Sequence, residues 1–188
     1  MIATLPLPHR NRLAEMILAA LHDRRARSDL VALATDASRS RQWLGEDATH
    51  SERLRARARR AAQALESRPL PGGEAVGEDD DALERALDDA ALLFDAGLYF
   101  EVHEVLEPHW QQASGQMREA LQGLIQIAVG YQHLANGNVR GARSLLADGA
   151  ARITARVIKG RPLRRFAQQV LESAASSPAS IPPFPRTA

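Results

Sequence analysis

The chain has 188 residues, 45% of them hydrophobic and none of them cysteine, which supplies enough apolar side chain for a core and excludes a disulfide framework or a thiolate metal site. No apolar run reaches the roughly 20 residues of a membrane span, and the nearest to one, Leu124 to Leu134, is interrupted by Gln126, Gln132 and His133. The net charge of +1 hides a block pattern of +5 over residues 1–70, −11 over 71–112 and +7 over 113–188; so acidic a centre argues against nucleic acid as the partner.

Met1 leads into Leu5-Pro6-Leu7-Pro8 and then Arg10 and Arg12, with no apolar stretch of signal length behind a basic start, so the expected location is cytoplasmic with no membrane contact. Leu13, Ile17, Ala20 and Leu21 recur at i, i+4, i+7 and i+8, the spacing of one buried helical face. Asp29 reads as the cap of a short second helix through Leu30 and Leu33. Ser51 opens a third with Leu54, Ala58, Ala61 and Leu65 inward; Arg53, Arg57 and Arg60 share its other face, a minimal footprint for phosphates. Pro69 to Gly77 is rich in proline and glycine and reads as a linker. The expected organisation is a helical N-terminal extension over 1–68, a linker over 69–79 and a helical-bundle core over 80–175.

Within the core, a helix opened by Asp80 or Asp81 places Leu83, Leu87, Ala91 and Phe94 on one side and stops at Gly97, a left-handed C′ residue. The spacing predicts further helices from Tyr99 to Gln112, from Gln116 to Ala135, and from an Asn138 cap to Lys159, closed by Gly160. Pro162 starts a last helix through Phe166 and Val170. The tail from 176 to 188, with four prolines and no apolar periodicity, reads as disordered. Ala96-Gly97 and Asn136-Gly137 lie 40 residues apart and each introduces a new helix, so two similar helical hairpins stack. Tetratricopeptide-type units have this form, but two are too few for a solenoid. The expected fold is therefore all-α: a compact bundle of two stacked hairpins plus a C-terminal helix.

One constellation carries chemistry. At 100° per residue with Phe100 at zero, His103 falls at about 300°, Glu107 at about 340°, Trp110 at about 280° and Glu104 at about 40°, so these residues form one stripe. On the next helix Leu121, Leu124, Ile125, Ile127, Ala128, Val129, Tyr131 and Leu134 wrap nearly the whole circumference, which makes it interior. Its Gln122, Gln126 and His133 nevertheless fall within about 40° of one another. Polar groups on an interior helix need partners, and the natural partner is the other stripe. The expectation is a single pocket in which Glu104, His103 and Glu107 face Gln122, Gln126 and His133, walled by Phe100 and Trp110. An imidazole and a carboxylate four apart on one helix can reach the same ion.

The run Leu93-Phe94-Asp95-Ala96-Gly97-Leu98-Tyr99-Phe100-Glu101-Val102-His103-Glu104-Val105-Leu106-Glu107, with Trp110, resembles the signature of the bacterial and archaeal family called Domain of Unknown Function 309. So does Leu121-Gln122-Gly123-Leu124-Ile125-Gln126-Ile127-Ala128, followed by His133, Gly137-Asn138 and Gly141-Ala142. The likeness spans about residues 83–148. It implies a small all-helical bundle and metal binding by a His-x-x-x-Glu-x-x-Trp motif, here His103, Glu107 and Trp110, and it implies no reaction.

Three functions follow for test. The first is a bundle with a divalent metal (Zn, Fe or Mn) held by His103, Glu107 and His133, with Glu104 as candidate general base. The second is a non-catalytic module whose hairpins bind a protein partner or a second copy. The third, which the charge distribution disfavours, is association with nucleic acid through the N-terminal arginines. His103-Glu104-x-x-Glu107 lacks the second histidine of the zincin motif, and Phe100 stands where a di-iron Glu-x-x-His would need its glutamate.

Overall fold

A computed structural model describes residues 5–66, 68–70, 79–176 and 180–187, with side chains from residue 82 onward in the helix that begins at Asp79. The described residues fall into two compact units, within Ala3–Val76 and within Gly77–Ala188. Most of the expected linker lies outside the described residues. No helix among those described is long and apolar enough to cross a membrane.

The N-terminal unit contains α1 (Leu7–His22), α2 (Arg24–Thr35), α3 (Ala37–Leu44), a short 3-10 helix (Gly45–His50) and α4 (Ser51–Glu66). Leu13, Ile17, Leu21, Leu30, Leu33, Leu54, Ala58 and Leu65 are buried, as the periodicity predicts. The caps differ from expectation. Asp23, not Asp29, accepts the Ala26 amide at 2.6 Å and starts α2, because Asp23 is the extended residue that breaks from α1. Asp29 lies inside α2 and pairs with Arg39 at 2.7 Å. α3 follows from Asp36, whose Oδ1 accepts the amides of Ser38 and Arg39 at 2.7 and 3.0 Å; those bonds favour the carboxylate and lower its pKa. Only Ser40 and Leu44 of α3 are buried, too few to leave a periodic signature. Arg27 donates to the carbonyls of Ala20 and Leu21 at the end of α1 and to those of Leu65 and Arg68 at the end of α4, satisfying the C-termini of both helices with one side chain.

The second unit contains α5 (Asp79–Asp95), α6 (Tyr99–Gln112), α7 (Gly115–Ala135), α8 (Val139–Ile153) and α9 (Arg164–Ala175), with a two-residue hairpin between α8 and α9. α5 packs on α6, α6 on α7, α7 on α8 and α8 on α9, which is the expected pair of stacked hairpins with a closing helix. The two hairpin turns are the same device. Leu98 N–H bonds to Leu93 C=O at 2.8 Å and Gly97 N–H to Phe94 C=O at 2.9 Å; Asn138 N–H bonds to His133 C=O at 2.9 Å and Gly137 N–H to Leu134 C=O at 3.0 Å. Both glycines sit at positive φ, 72° and 77°, as a Schellman cap requires. α7 and α8 approach through glycine: a Cβ on Gly149 would lie 2.8 Å from the Gly123 carbonyl oxygen, and one on Gly130 would lie 2.8 Å from Leu146.

Two expectations about the C-terminal part do not hold. α8 stops at Ile153, six residues before Lys159. Lys159 and Gly160 have φ of 45° and 71°, the left-handed pair of a two-residue turn, and they join Val157–Ile158 to Arg161–Pro162 as antiparallel β1 and β2. The tail is not disordered over 180–187. Phe184 is 3% exposed and lies 5.4 Å from the Phe94 ring and 5.8 Å from Phe166, within an aromatic cluster completed by Tyr99 and Tyr131. Contacts contributed by single side chains, rather than a periodic face, hold this segment, so periodicity could not reveal it.

Candidate functional site

α6 presents a buried face and a polar one. Tyr99, Val102 and Leu106 are buried, while Phe100, His103, Glu104, Glu107 and Trp110 are all partly exposed. Pro108 stands inside the helix, which continues to Gln112. Since proline has no N–H, the Glu104 carbonyl loses its helical donor there, directly behind the polar stripe.

Three of the expected residues converge. His103, Glu104 and Glu107 each offer an atom within 4.8 Å of the others. His103 Nδ1 is 2.9 Å from Glu104 Oε1, and His103 Nε2 is 3.8 Å from Glu107 Oε2. An ionised carboxylate only accepts, so Nδ1 carries the proton and donates it to Glu104. Nε2 is thereby the nitrogen that faces Glu107. The Phe100 ring lies nearly parallel to the imidazole, 21° between planes and 6.3 Å between centroids. Gln111 donates to Glu107 Oε1 at 3.3 Å. The side chains of His103, Glu104 and Glu107 are 30, 34 and 38% exposed, so the cluster opens to solvent. His109, on the following turn, is partly buried, and that burial lowers its pKa.

His133, Gln126 and Trp110 are engaged elsewhere. Asn138 Oδ1 accepts the Gly141 amide at 3.0 Å as the cap of α8, which orients its NH2 toward His133 Nδ1 at 2.8 Å. An amide NH2 only donates, so His133 Nδ1 accepts, and this imidazole braces the α7–α8 turn. His133 is not a member of the three-residue cluster found among the described residues. Gln126 accepts from Arg152 Nε of α8 at 3.1 Å, and the same guanidinium reaches Glu119 at 2.6 Å. Gln126 thus finds its partner on α8 and His133 finds its partner at the α8 cap, where the glycine-lined crossing brings α7 and α8 close together. Gln122 is half-buried on α7. Trp110 lies under the Arg118 guanidinium, 4.1 Å from its ring centroid, and Arg118 also donates to the Trp110 carbonyl at 2.8 Å. Its indole Nε1 is buried without a partner among the described residues.

In the N-terminal unit, Arg53 of the expected arginine face is engaged with His50, and Arg55 and Arg59, which lie off that face, are engaged within the unit. Arg55 and Arg59 pair with Glu52 at 3.3 and 2.7 Å, Arg55 also donates to the Ala34 and Thr35 carbonyls at the end of α2, and Arg53 meets His50 at 3.0 Å.

Residues 87–145 match the family model described as Domain of unknown function (DUF309). The DUF309 stretch is less than half of the chain, and it carries every residue of the α6 cluster together with Trp110, Gln122, Gln126 and His133. No curated protein and no solved structure matches the chain. Two buried charged groups lie off the helical stripes that periodicity marks. Glu101, fully buried within the DUF309 stretch, sits about 100° round the helix from Phe100, off the polar stripe. Arg161, outside it, has a side chain only 1% exposed and pairs with Glu84 and Asp88 of α5, each at 2.7 Å. The Lys-Gly turn that delivers Arg161 was the available signal.

Proposed function

We propose that α6 carries a divalent transition-metal site in which His103 Nε2 and a Glu107 oxygen are the protein ligands and Glu104 holds the imidazole in place. The observation that carries this reading is the ordering of the two imidazole nitrogens: Nδ1 is tied to Glu104 at 2.9 Å while Nε2 is directed to Glu107 at 3.8 Å. Metal-binding histidines ordinarily donate their second N–H to a carboxylate, which sets tautomer and ring orientation. Two ligands about 2.1 Å from a tetrahedral ion are about 3.4 Å apart, so the 3.8 Å gap needs only a small side-chain adjustment. In this reading Glu104 acts as a positioning residue, a role that its 2.9 Å contact with His103 Nδ1 supports.

Stability gives little reason for the cluster. With side chains about a third exposed, an i,i+4 pair contributes roughly 0.2–0.5 kcal/mol, and the Glu104 contact is between chain neighbours. One nitrogen and carboxylate oxygens suit Zn, Fe or Mn. An ion so held from one helix would keep open positions and supply Lewis acidity to an oxygen bound there. We assign the site to the helical-bundle core, residues 80–175.

Elemental analysis of protein purified without a histidine tag tests the proposal. Near-stoichiometric Zn, Fe or Mn is expected, lost in His103→Ala and kept in His133→Ala. Wild-type protein of unchanged helicity that holds no metal, and takes up none of the three ions from micromolar solution, refutes it.

A further inference from the structure

Residues 180–187, Ser180-Ile181-Pro182-Pro183-Phe184-Pro185-Arg186-Thr187, lie against the α5–α6 turn and form no helix or strand. The prolines at 182, 183 and 185 have no N–H and hold φ near the polyproline value, so the segment is extended before it meets anything. It is held by two contacts of different chemistry. Phe184 enters the aromatic cluster and is 3% exposed. One carboxylate, Asp95, reads the rest: its Oδ1 accepts the Phe184 amide at 2.9 Å and its Oδ2 accepts from Arg186 at 2.6 Å. Asp95 is the last residue of α5, and the adjoining Ala96-Gly97 turn leaves a cleft of about 410 Å³ lined by Phe94, Asp95, Tyr99, Ile181, Pro182 and Pro183.

This is the layout of a site for a linear peptide. A pre-extended ligand loses little freedom on docking, one aromatic side chain anchors it, and one charged group fixes its register through backbone and side chain together. The attachments are also reachable from solvent: the Arg186 and Asp95 side chains are 57 and 31% exposed, and Ile181 is 43% exposed. No backbone ladder binds the segment to a helix or strand among the described residues.

We propose that the groove over the α5–α6 turn recognises an extended segment of the pattern Pro-Pro-Phe-Pro-Arg, and that residues 180–187 fill it in cis as a displaceable strap. The partner it fits is a proline-flanked phenylalanine followed two residues later by arginine on another chain. Such a ligand competes with the strap for Asp95 and the ring of Phe94. The site is independent of the α6 cluster.

The test uses the full chain and a fluorescein-labelled peptide of residues 180–187. Phe184→Ala with Arg186→Ala removes the strap's aromatic anchor and its ion pair; fluorescence polarisation is expected to show the peptide binding this variant at least tenfold more tightly than wild type, whose own strap competes. Adding Asp95→Asn to the variant is expected to weaken the peptide about tenfold, and replacing the peptide's phenylalanine by alanine to abolish binding. A folded variant that binds the peptide no better than wild type overturns the proposal. So does a variant that loses its helical circular dichroism, because Phe184 is then permanent core. In the unaltered protein, hydrogen exchange gives the second reading: the Phe184 amide is expected to exchange at least 100-fold faster than the amides of α7, and equal protection overturns the strap.

Discussion

Replacing the fully buried Arg161 by an apolar residue should cost less than neutralising the two acids that pair with it. The guanidinium is 1% exposed and its Nη atoms each hold one carboxylate at 2.7 Å, but Glu84 and Asp88 are 37 and 58% exposed. Desolvation therefore falls almost wholly on the cation. In Arg161→Met the carboxylates turn to water, and methionine fills most of the vacated volume; buried ion pairs exchanged for apolar residues of like size are often neutral. The expected loss is about 1 kcal/mol or less. In Glu84→Gln with Asp88→Asn the shapes remain and the buried charge loses its counter-ions, a change that costs roughly 3–5 kcal/mol when the pair is dry. Partial exposure of the acids moves the expectation to the lower end of that range. Urea unfolding followed by Trp110 fluorescence in a Trp43→Phe background reports on this unit alone. Equal destabilisation by the two replacements would mean that the carboxylates, not the guanidinium, carry the burial cost, and the reasoning fails.

Gly149→Ala is expected to destabilise by about 1–3 kcal/mol, because the new Cβ meets the Gly123 carbonyl oxygen at 2.8 Å and the Ile127 amide nitrogen at 3.1 Å, backbone atoms that yield only if the helices separate; an unchanged melting temperature would contradict the close crossing. Tyr131 is 1% exposed, and burial raises its phenol pKa to about 12, while its O–H donates to Ser173 at 3.1 Å. Its folded pKa lies above the unfolded value near 10, so its contribution is complete below about pH 10 and is lost as pH rises toward 12, up to about 3 kcal/mol in all. Tyr131→Phe should therefore cost about 1 kcal/mol at pH 8 and flatten the fall in stability between pH 10 and 12, which chemical unfolding at each pH measures.

The helices were legible where one face is apolar over several turns. α1, α4, α5, α6 and α7 repeat Leu, Ile, Ala and Phe at helical spacing and are found within a few residues of expectation. α3 was not, because an eight-residue helix held by one Asp36 cap and one buried leucine has no period to read. The end of α8 is not legible, because Val157 and Ile158 extend an apolar pattern that a left-handed Lys159-Gly160 pair folds back on itself. The stripe on α6 was legible for the same reason as the helices, since side chains three and four apart on one helix must be neighbours. Which neighbour answers the polar residues of α7 was not legible: glycines at 123, 130 and 149 determine that α8, with Arg152, comes closest, and that depends on tertiary approach rather than spacing.

The α6 cluster also separates two roles that spacing alone leaves equal. Glu104 and Glu107 are both carboxylates within reach of His103, yet Glu104 lies on the Nδ1 side at 2.9 Å and Glu107 on the Nε2 side at 3.8 Å. If His103 binds a metal through Nε2, Glu104 acts only through the imidazole. Glu104→Gln can still accept the Nδ1 proton but no longer polarises the ring, and loss of such an outer partner typically weakens metal affinity by roughly 10–100-fold without removing the site. Glu107→Gln removes a charged ligand and should abolish retention of the ion on dialysis. Competition with a chelator of known affinity measures both, and circular dichroism checks that α6 is intact, since neither exposed pair should cost more than about 0.5 kcal/mol. Equal losses from the two substitutions would show that both carboxylates touch the ion directly. A larger loss from Glu104→Gln would reverse the assignment, making Nδ1 the ligand and Glu107 the residue that orients the ring.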